Sequence, residues 1–275
     1  MPLLHVNGTD LFYEDTGPGS TGETIVFSHG LLFSTLMWEA QVRHFRDRYR
    51  CIAYDHRGQG RSAESTLFSI GMELVYDDAL GVLDKLVEGP VHFVGLSMGG
   101  FVGMRIAARQ PARLRSLALF ETSAEPEPVE NIPKYTMLAW VARVFGIGLV
   151  ADRVEPIMFG KTFRTDPARA GERRFWRERL VENRRTIHRA VRGVTDRLGI
   201  LEEIAAIKVP TLIAVGDEDV ATVPAKAERI HEAIPGSRFA KIQGAGHSAC
   251  IEQPARVNAL LEEFYGGPTP GPHRG

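Results

Sequence analysis

The sequence predicts an α/β fold in which a mostly parallel sheet is flanked by helices. Short apolar runs rich in β-branched residues alternate with amphipathic helical segments along most of the 275 residues. Several of these runs are apolar on both faces, which is typical of parallel strands covered by helices on each side. The alternation stops between about residues 123 and 207, where the pattern predicts helices alone.

Eight strands are predicted in chain order. The first two, LLHVNG and LFYED, flank Gly8 and predict an antiparallel hairpin at one edge of the sheet. The remaining predicted strands lie at residues 24–28, 51–54, 91–96, 114–120, 211–215 and 237–242. The helices predicted between or after them lie at residues 71–88, 98–109 and 224–234, and from near residue 254.

The stretch without strands begins with a proline-rich connector, EPEPVENIP, and continues as an Arg-dense helical segment. We interpret it as an insertion of helices after the sixth strand. The expected organisation is therefore a core over residues 1–123, inserted helices over 124–207, the rest of the core over 208–265, and a Gly/Pro-rich disordered tail over 266–275.

Composition excludes several classes of protein. The chain has 33 Lys and Arg against 34 Asp and Glu, so it is not built to coat nucleic acid or an anionic membrane. Its two cysteines, Cys51 and Cys250, have no spacing typical of a disulfide framework or a zinc site. Because neither a signal peptide nor an apolar run of membrane-spanning length is apparent, we expect a cytoplasmic protein, either monomer or homodimer.

The sharpest local pattern is GLSMGG at residues 95–100, between an apolar strand and a helix. In a Gly-x-Ser-x-Gly turn of this kind the serine lies at a sharp bend, and the glycines leave room where a Cβ would clash. The bend exposes the hydroxyl group beside the helix N-terminus, where backbone N–H groups favour negative charge. Glycine and serine are also common in ordinary turns, but the flanking strand and helix favour Ser97 as a nucleophile.

A serine hydroxyl group needs a base to remove its proton. Of the nine histidines, we select His247, because it lies in the glycine-rich segment GAGHS directly after the last strand. His56, which follows another strand end, is the alternative. His92 falls inside a predicted buried strand and is interpreted as a hydrogen-bonded core residue.

The histidine in turn needs a carboxylate that fixes its tautomer and stabilises its charged form. The segment GDED after the strand at 211–215 offers three acids, and we select Asp219, at the third position past the glycine. Glu121, at the end of the strand at 114–120, is the second choice. The chain order Ser97, Asp219, His247 is the order expected of one particular scaffold.

A developing oxyanion requires hydrogen-bond donors. The loop that contains Gly30 and Leu31 follows the strand at 24–28, where a backbone N–H can face the nucleophile. We therefore predict the backbone N–H groups of Leu31 and Met98 as the oxyanion hole. His29 is interpreted as a structural hydrogen-bonding residue.

Five segments resemble the α/β-hydrolase superfamily: SHGLL, YDHRGQGRS, GLSMGG, VGDED and GAGHSACIEQP, in the family's order from residue 28 to 254. The resemblance implies the α/β-hydrolase fold, with a mostly parallel eight-stranded sheet flanked by helices and a helical cap inserted after the sixth strand. YDHRGQGRS and GLSMGG look most like 3-oxoadipate enol-lactonases and similar small carboxylic ester hydrolases, and cofactor-free haloperoxidases share much of this pattern. Leu31 departs from the proline that such perhydrolases tend to have, and Ser97 departs from the aspartate nucleophile of haloalkane dehalogenases and epoxide hydrolases.

The implied reaction is hydrolysis of a small carboxylic ester or lactone through an acyl-enzyme, which requires neither a metal nor an organic cofactor. Two alternatives use the same residues: C–C bond hydrolysis of a meta-cleavage product, and cofactor-free perhydrolysis. A non-catalytic binding protein with the same fold is the third alternative. Ser97, Asp219 and His247 together argue against it.

The resemblance places the substrate pocket under the cap. Aromatic residues predicted to line it are Phe33, Trp38, Trp140, Phe145 and Trp176, with core packing as the alternative for each. The cap also contains a dense set of arginines: Arg173, Arg174, Arg177, Arg179, Arg184, Arg185, Arg189, Arg192 and Arg197. An inward-facing arginine would bind a substrate carboxylate, whereas a solvated helix face is the competing interpretation.

Overall fold

Eight strands form one sheet in the computed structural model, which describes residues 2–266. The strands are β1 (Leu3–Val6), β2 (Thr9–Asp15), β3 (Thr24–Ser28), β4 (Arg50–Tyr54), β5 (Val91–Leu96), β6 (Leu114–Phe120), β7 (Thr211–Gly216) and β8 (Arg238–Ile242). They lie in the order β1-β2-β4-β3-β5-β6-β7-β8. The pairs β1–β2 and β2–β4 are antiparallel and the other pairs are parallel, which confirms the predicted fold class and the edge hairpin.

Helices cover the sheet on both faces, as the complete burial of β3 and β5 requires. The helices outside the insertion are α1 (Glu39–Phe45), α2 (Met72–Leu86), α3 (Met98–Arg109), α10 (Pro224–Ala233), α11 (Ala249–Glu252) and α12 (Pro254–Gly266). Helix α2 packs on α3, and helix α1 packs on α11 and α12. Each predicted helix is therefore present, with ends that differ by a residue or two.

The chain between β6 and β7 contains only helices and turns. Its helices, here called the inserted helices, are α4 (Ile132–Phe145), α5 (Ala151–Met158), α6 (Lys161–Thr165), α7 (Ala170–Val181), α8 (His188–Thr195) and α9 (Leu201–Ile204). The last of them, α9, packs on the core helices α3 and α10. A helical insertion after the sixth strand is thus observed, while the domain boundaries at 124 and 207 stay a prediction.

The carboxyl ends of the parallel strands lie side by side. Ser28 of β3 pairs with Gly95 of β5, and Leu96 pairs with Phe120 of β6. On its other side β6 pairs with β7, and β7 pairs with β8 up to Gly216. The segments that leave these strands therefore meet at one edge of the sheet, where α/β proteins place their ligands.

The sequence also predicts a disordered C-terminal tail and no membrane-spanning segment. The predicted disordered tail at 266–275 lies outside the described residues, except for Gly266, which is the last residue of α12. Within residues 2–266, no helix has both the length and the apolar character needed to cross a lipid bilayer.

Candidate active site

Ser97 is the single residue between β5 and α3, and its backbone is strained. Its φ is +51° and its ψ is −109°, which side chains with a Cβ rarely adopt. The Ser97 N–H donates to the Phe120 carbonyl at 2.9 Å, and its carbonyl accepts from the Thr122 hydroxyl group and the Phe101 N–H, each at 2.9 Å. These three hydrogen bonds hold the sharp bend that presents the serine side chain.

The glycines around Ser97 are required by close backbone approach. A Cβ on Gly95 would lie 2.4 Å from the Gly99 carbonyl oxygen, and a Cβ on Gly99 would lie 2.1 Å from the Ser28 carbonyl oxygen. Both distances are well inside van der Waals contact with backbone atoms that cannot move independently. Only glycine lets the turn close on itself and pack against the end of β3.

Strained backbone is concentrated at this edge of the sheet. The non-glycine residues with positive φ among residues 2–266 are Asn7, Leu32, Ser97 and Glu121, and the last three follow the carboxyl ends of β3, β5 and β6. Strain of this kind persists only where the surrounding structure fixes it, and it is common at functional sites. This distribution marks the edge as the candidate site independently of any sequence motif.

Asp219 and His247 form a buried hydrogen-bonded pair. The Asp219 Oδ2 atom lies 2.9 Å from the His247 Nδ1 atom, and both residues are almost fully buried. The other carboxylate oxygen accepts from the backbone N–H groups of Ala221 and Thr222 at 2.8 and 3.0 Å, while the Thr222 hydroxyl group donates to Oδ2 at 2.7 Å. Four donors therefore converge on one carboxylate and fix its orientation.

The charge state of Asp219 follows from these contacts. Burial alone would raise the pKa of Asp219, but the nearby His247 charge and the hydrogen bonds from His247 and Thr222 outweigh burial and lower that pKa. The carboxylate is thus ionised and accepts the hydrogen on His247 Nδ1. In the neutral imidazole this leaves Nε2 as an acceptor, which is the arrangement a general base requires.

Glu121, the second-choice acid, has a different role. It is buried and accepts a hydrogen bond from the Gly216 N–H at 3.1 Å through Oε1, whereas His247 is bonded to Asp219. Burial raises the pKa of Glu121 well above its usual value, and the negative charges of Asp219 and Glu252 raise it further. Glu121 therefore holds a proton more readily than Asp219 does, and it braces the start of the segment leading to Asp219.

His56, the alternative base, lies behind the site rather than in the cavity. Its Nε2 atom is 3.2 Å from the Ser28 hydroxyl group and 3.1 Å from the His29 carbonyl oxygen. Burial lowers the pKa of His56 well below its usual value, and the adjacent His29 ring lowers it further. His56 is therefore a neutral histidine whose hydrogen bonds support the loop after β3.

His29 fixes the peptide group that carries the Leu31 N–H. Its Nε2 atom accepts from the His56 N–H at 2.9 Å, so its Nδ1–H is the donor to the Gly30 carbonyl oxygen at 2.7 Å. The Phe33 N–H also donates to that oxygen, at 3.2 Å. Because C=O and N–H point in opposite directions across a trans peptide, holding the Gly30 carbonyl aims the Leu31 N–H the other way.

The Leu31 and Met98 N–H groups have no hydrogen-bond acceptor among residues 2–266. Leu31 lines the same cavity as Ser97, and an added Cβ on Gly30 would lie 3.6 Å from the Ser97 Cβ. Met98 is the first residue of α3, where backbone N–H groups lack intrahelical partners. Both groups are therefore free donors beside the serine.

One cavity joins these residues. The core contributes Leu31, Leu32, Ser97, Phe101, Thr222 and His247 to its wall. The inserted helices and their connections contribute mainly aliphatic side chains, among them Leu138, Ala142, Ile147, Val150, Val154 and Met158. The result is a largely apolar cavity with a few polar groups, the usual character of a small-molecule site.

The five aromatic residues predicted to line the pocket are not among the residues of this cavity wall, which corrects that expectation. Trp38 is fully buried in the core, with its ring 5.3 Å from that of Phe27. Phe33 and Trp176 pack edge to face at 5.9 Å, between the loop after β3 and helix α7.

Trp140 and Phe145, the other two aromatic residues, lie on the outer face of α4. They are 57% and 58% exposed and contact each other with ring centroids 6.2 Å apart. Trp140 borders a separate groove together with Phe68 and Arg192. The cavity face of α4 is instead formed by Leu138, Ala142 and their neighbours.

Sequence reasoning missed the charged part of the cavity wall. Glu127, Tyr135 and Arg197 line the cavity, and Glu127 and Tyr135 were not singled out by any pattern. Arg197 alone of the nine arginines between residues 173 and 197 is buried. Nothing in the sequence singles out this pair, because Glu127 is one of three glutamates in the connector EPEPVENIP and lies 70 residues from Arg197; in the folded chain Arg197 Nη1 contacts Glu127 Oε2 at 2.9 Å.

A family model for the alpha/beta hydrolase fold matches residues 23–254 of the chain. The chain belongs to the alpha/beta hydrolase fold family. An esterase from Thermogutta terrifontis, solved with malate bound, is 30% identical with a TM-score of 0.85, and the match covers 96% of each chain. The enol-lactonase of Burkholderia xenovorans LB400 is 29% identical with a TM-score of 0.87, over 96% of this chain and all of that one.

Curated relatives have more varied activities. A non-heme haloperoxidase from Rhodococcus erythropolis is 28% identical over 96% of this chain and 99% of its own length. A relative from Caulobacter sp. (strain K31), named as a carbamate hydrolase, is 25% identical over 91% of this chain and 93% of its own. Family and relatives together support hydrolase activity.

Proposed function

We propose that this protein is a serine hydrolase that cleaves a small carboxylic ester or lactone through an acyl-enzyme. The observation that carries the proposal is the arrangement at the edge of the sheet. Ser97, on a strained turn, and His247, bonded to the ionised Asp219, line one apolar cavity beside two free backbone donors. These are the kinds of group that acyl transfer requires, and their shared cavity supports the proposal.

In the first half of the reaction, Ser97 Oγ attacks the substrate carbonyl carbon while His247 Nε2 takes the hydroxyl proton. Asp219 stabilises the resulting imidazolium and remains ionised. The Leu31 and Met98 N–H groups donate to the oxyanion. When the tetrahedral intermediate collapses, His247 returns the proton to the leaving alkoxide, and the acyl group stays on Ser97.

In the second half, His247 Nε2 takes a proton from water, whose oxygen attacks the acyl-enzyme. The same two N–H groups hold the second oxyanion, and Ser97 leaves with the proton from His247. A lactone would follow the same steps, with the released alcohol still part of the acyl group. The cavity wall of aliphatic side chains favours an apolar acyl or alcohol part.

The direct test is the Ser97→Ala variant on short p-nitrophenyl esters. We expect kcat to fall by roughly 10⁴-fold or more, because the nucleophile acts together with His247 and Asp219. Ser20→Ala, at an exposed position far from the site, is the matched control and should keep wild-type kcat and KM. Turnover in Ser97→Ala close to that of the control would refute the proposal.

Perhydrolysis is the second candidate, because the haloperoxidase from Rhodococcus erythropolis is 28% identical along nearly the whole chain. In that reaction hydrogen peroxide takes the place of water in the second half. Acetic acid would acylate Ser97 with loss of water, and hydrogen peroxide would then take the acetyl group as peracetic acid. Peracetic acid oxidises bromide to the species that brominates monochlorodimedone, so bromination should depend on Ser97. Bromination faster than ester hydrolysis by the same preparation would rank perhydrolysis first, and its absence would leave ester or lactone hydrolysis.

A further inference from the structure

The loop after β3 contains a strained turn that includes the free Leu31 N–H. The Phe33 N–H donates to the Gly30 carbonyl at 3.2 Å, which closes a four-residue turn over residues 30–33. Leu32, at the third position, has a φ of +72°, whereas the φ of Leu31 is not positive. This combination is typical of a type II turn, whose third position favours glycine. A leucine at that position is strained, and the surrounding structure must hold it there.

A less strained form of the same turn exists. Rotation of the peptide group between Leu31 and Leu32 would convert the type II turn into a type I turn, in which both central residues have negative φ. Leucine favours the type I form, because its Cβ atom is disfavoured in the left-handed region. The observed form therefore depends on contacts that the rotated peptide group would lose.

Gln59 supplies the first of these contacts. Its Oε1 atom accepts from the Leu32 N–H at 2.9 Å, and the residue is only 2% exposed. Its Nε2 atom lies 3.7 Å from the Met98 Sδ atom. After rotation, the Leu31 carbonyl oxygen would take the place of the N–H and face Gln59 Oε1. Two acceptors would then meet in a buried position, and the hydrogen bond would be lost.

The loop that carries Gln59 is itself well fixed. The Gln59 N–H donates to the His56 carbonyl at 3.0 Å. Asp55, at the start of the same loop, accepts from the Thr35 N–H at 2.6 Å and from the Arg61 N–H at 2.7 Å through its two carboxylate oxygens. Gln59 is therefore a preorganised acceptor, which can hold a strained neighbour without moving toward it.

Asn183 holds the turn from the other side. Its Nδ2 atom donates to the Leu32 carbonyl at 2.9 Å and to the Leu180 carbonyl, at the end of α7, at 3.1 Å. Both peptide groups that flank the Leu32 Cα atom are thus hydrogen-bonded to side chains. One of these side chains belongs to the core and the other to the segment between the inserted helices α7 and α8.

We propose that Gln59 and Asn183 are positioning residues that hold the turn over residues 30–33 in its strained form and so keep the Leu31 N–H directed at the oxyanion. The assignment rests on the proposed function. Both residues act through Leu32, and neither belongs to the cavity wall. Because the oxyanion forms only after attack by the nucleophile, loss of either residue should lower kcat and leave KM nearly unchanged. Docking of the inserted helices would then help to complete the oxyanion hole.

Gln59→Ala tests the role on p-nitrophenyl butyrate. We expect kcat to fall roughly 10- to 100-fold, less than the loss of a whole oxyanion donor, because the Leu31 N–H stays present but is no longer fixed. KM should change by less than about threefold. Gln41→Ala is the matched control, because Gln41 is also fully buried and its amide donates to a backbone carbonyl, that of Cys250, at 3.3 Å. It should keep wild-type kcat, and equal kcat in the two variants would overturn the role of Gln59.

A second substitution separates positioning from a general loss of structure. Glycine adopts positive φ without strain, so Leu32→Gly in the Gln59→Ala background should raise kcat at least about fivefold. No recovery would contradict the role of the strained turn. Asn183→Ala, at a half-buried position, should likewise lower kcat at unchanged KM and be rescued by Leu32→Gly. This pair of variants carries the same test should Gln59→Ala not fold.

An alkyl trifluoromethyl ketone provides a readout that does not depend on turnover. Ser97 Oγ adds to its carbonyl carbon, His247 takes the proton, and the product is a hemiketal oxyanion. The inhibition constant should rise in Gln59→Ala by about the factor by which kcat falls. Wild-type protein that neither hydrolyses esters nor binds the ketone would contradict the proposed function and this assignment with it. Wild-type protein that does both, matched by Gln59→Ala and Asn183→Ala, would support the hydrolase and overturn the positioning role alone.

Discussion

Two buried carboxyl groups at the end of neighbouring strands differ in charge because their partners differ. Asp219 accepts four hydrogen bonds, including one from His247, and these lower its pKa despite burial. Glu121 has few donors and two negatively charged neighbours, and burial raises its pKa. The two environments therefore move the two pKa values in opposite directions, and only the group with the lowered pKa, Asp219, is hydrogen-bonded to His247.

Replacing Asp219 by Asn tests this assignment. The amide NH₂ group would donate to Nδ1 and hold His247 in the tautomer with hydrogen on Nε2, which cannot accept the serine proton. We expect kcat on p-nitrophenyl butyrate to fall about 10⁴-fold. Asp217→Asn, two residues away, should keep most of the activity. A loss of less than tenfold in Asp219→Asn would indicate that another acid, Glu121 first, supports the base.

His29 is a positioning residue whose effect passes through the Gly30 carbonyl. His29→Ala removes the Nδ1–H donor, so the Leu31 N–H loses part of its fixed direction, and we expect kcat to fall up to roughly 100-fold with little change in KM. In His29→Asn the amide nitrogen can replace Nδ1 as the donor. That variant should recover much of the lost kcat, and equal kcat in the two variants would contradict the role.

At the scale of secondary-structure elements, the strand-to-helix turn depends on glycine. A Cβ at Gly99 would overlap the Ser28 carbonyl, so Gly99→Ala should displace the start of α3 from β3 and abolish activity, with a lower melting temperature. Gly171→Ala in α7 is the matched control, because nothing lies within 4 Å of its added Cβ. It should leave activity unchanged and stabilise the fold by about 0.5–1 kcal/mol. Similar activity in both variants would contradict the packing argument.

Several elements could be predicted from sequence to the residue, because their limits are chemical. β3, β5 and β6 are buried apolar runs bounded by polar or glycine-containing turns, and α3 begins where the Gly-x-Ser-x-Gly turn ends. For the same reason the sequence could predict that Ser97, Asp219 and His247 lie near one another. Each follows a strand whose carboxyl end lies at one edge of the sheet, so topology brings them together.

The cavity wall could not be predicted, because it depends on how the inserted helices dock. Asn183 Nδ2 donates to the Leu32 carbonyl at 2.9 Å, and Arg169 donates to the carbonyls of Ile251 and Glu252. These contacts join residues 82–151 positions apart in the chain. The sequence shows which residues of α4 are apolar. Which of them face the cavity, as Leu138 does, and which face solvent, as Trp140 does, depends on these distant contacts.

For the molecule as a whole, Glu252 links the core to the inserted helices beside His247. Its carboxylate accepts from the backbone N–H groups of Gly160, Gly246 and Ser248 at 2.8, 3.0 and 3.0 Å. Gly160 precedes α6, and the other two flank His247. One buried side chain therefore ties the loop that carries the candidate base to the inserted segment that follows Met158, a residue of the cavity wall.

Glu252→Ala should loosen that link. Three buried N–H groups would lose their acceptor, so we expect the free energy of unfolding in guanidinium chloride to fall by about 3 kcal/mol, or about 1 kcal/mol for each lost hydrogen bond. Glu263→Ala on α12, where the side chain is 65% exposed, is the control and should change stability by less than about 0.5 kcal/mol. Equal stability of the two variants would show that the link carries no energy.

If the proposed function is right, Ser97 is the activated nucleophile of the site. Incubation with a fluorophosphonate, followed by intact-mass measurement and peptide mapping, tests it without knowledge of the substrate. We expect a single phosphonyl adduct on Ser97 in the wild-type protein, none in Ser97→Ala, and much slower labelling in Asp219→Asn. No adduct on folded wild-type protein, or an adduct on another residue that persists in Ser97→Ala, would contradict it.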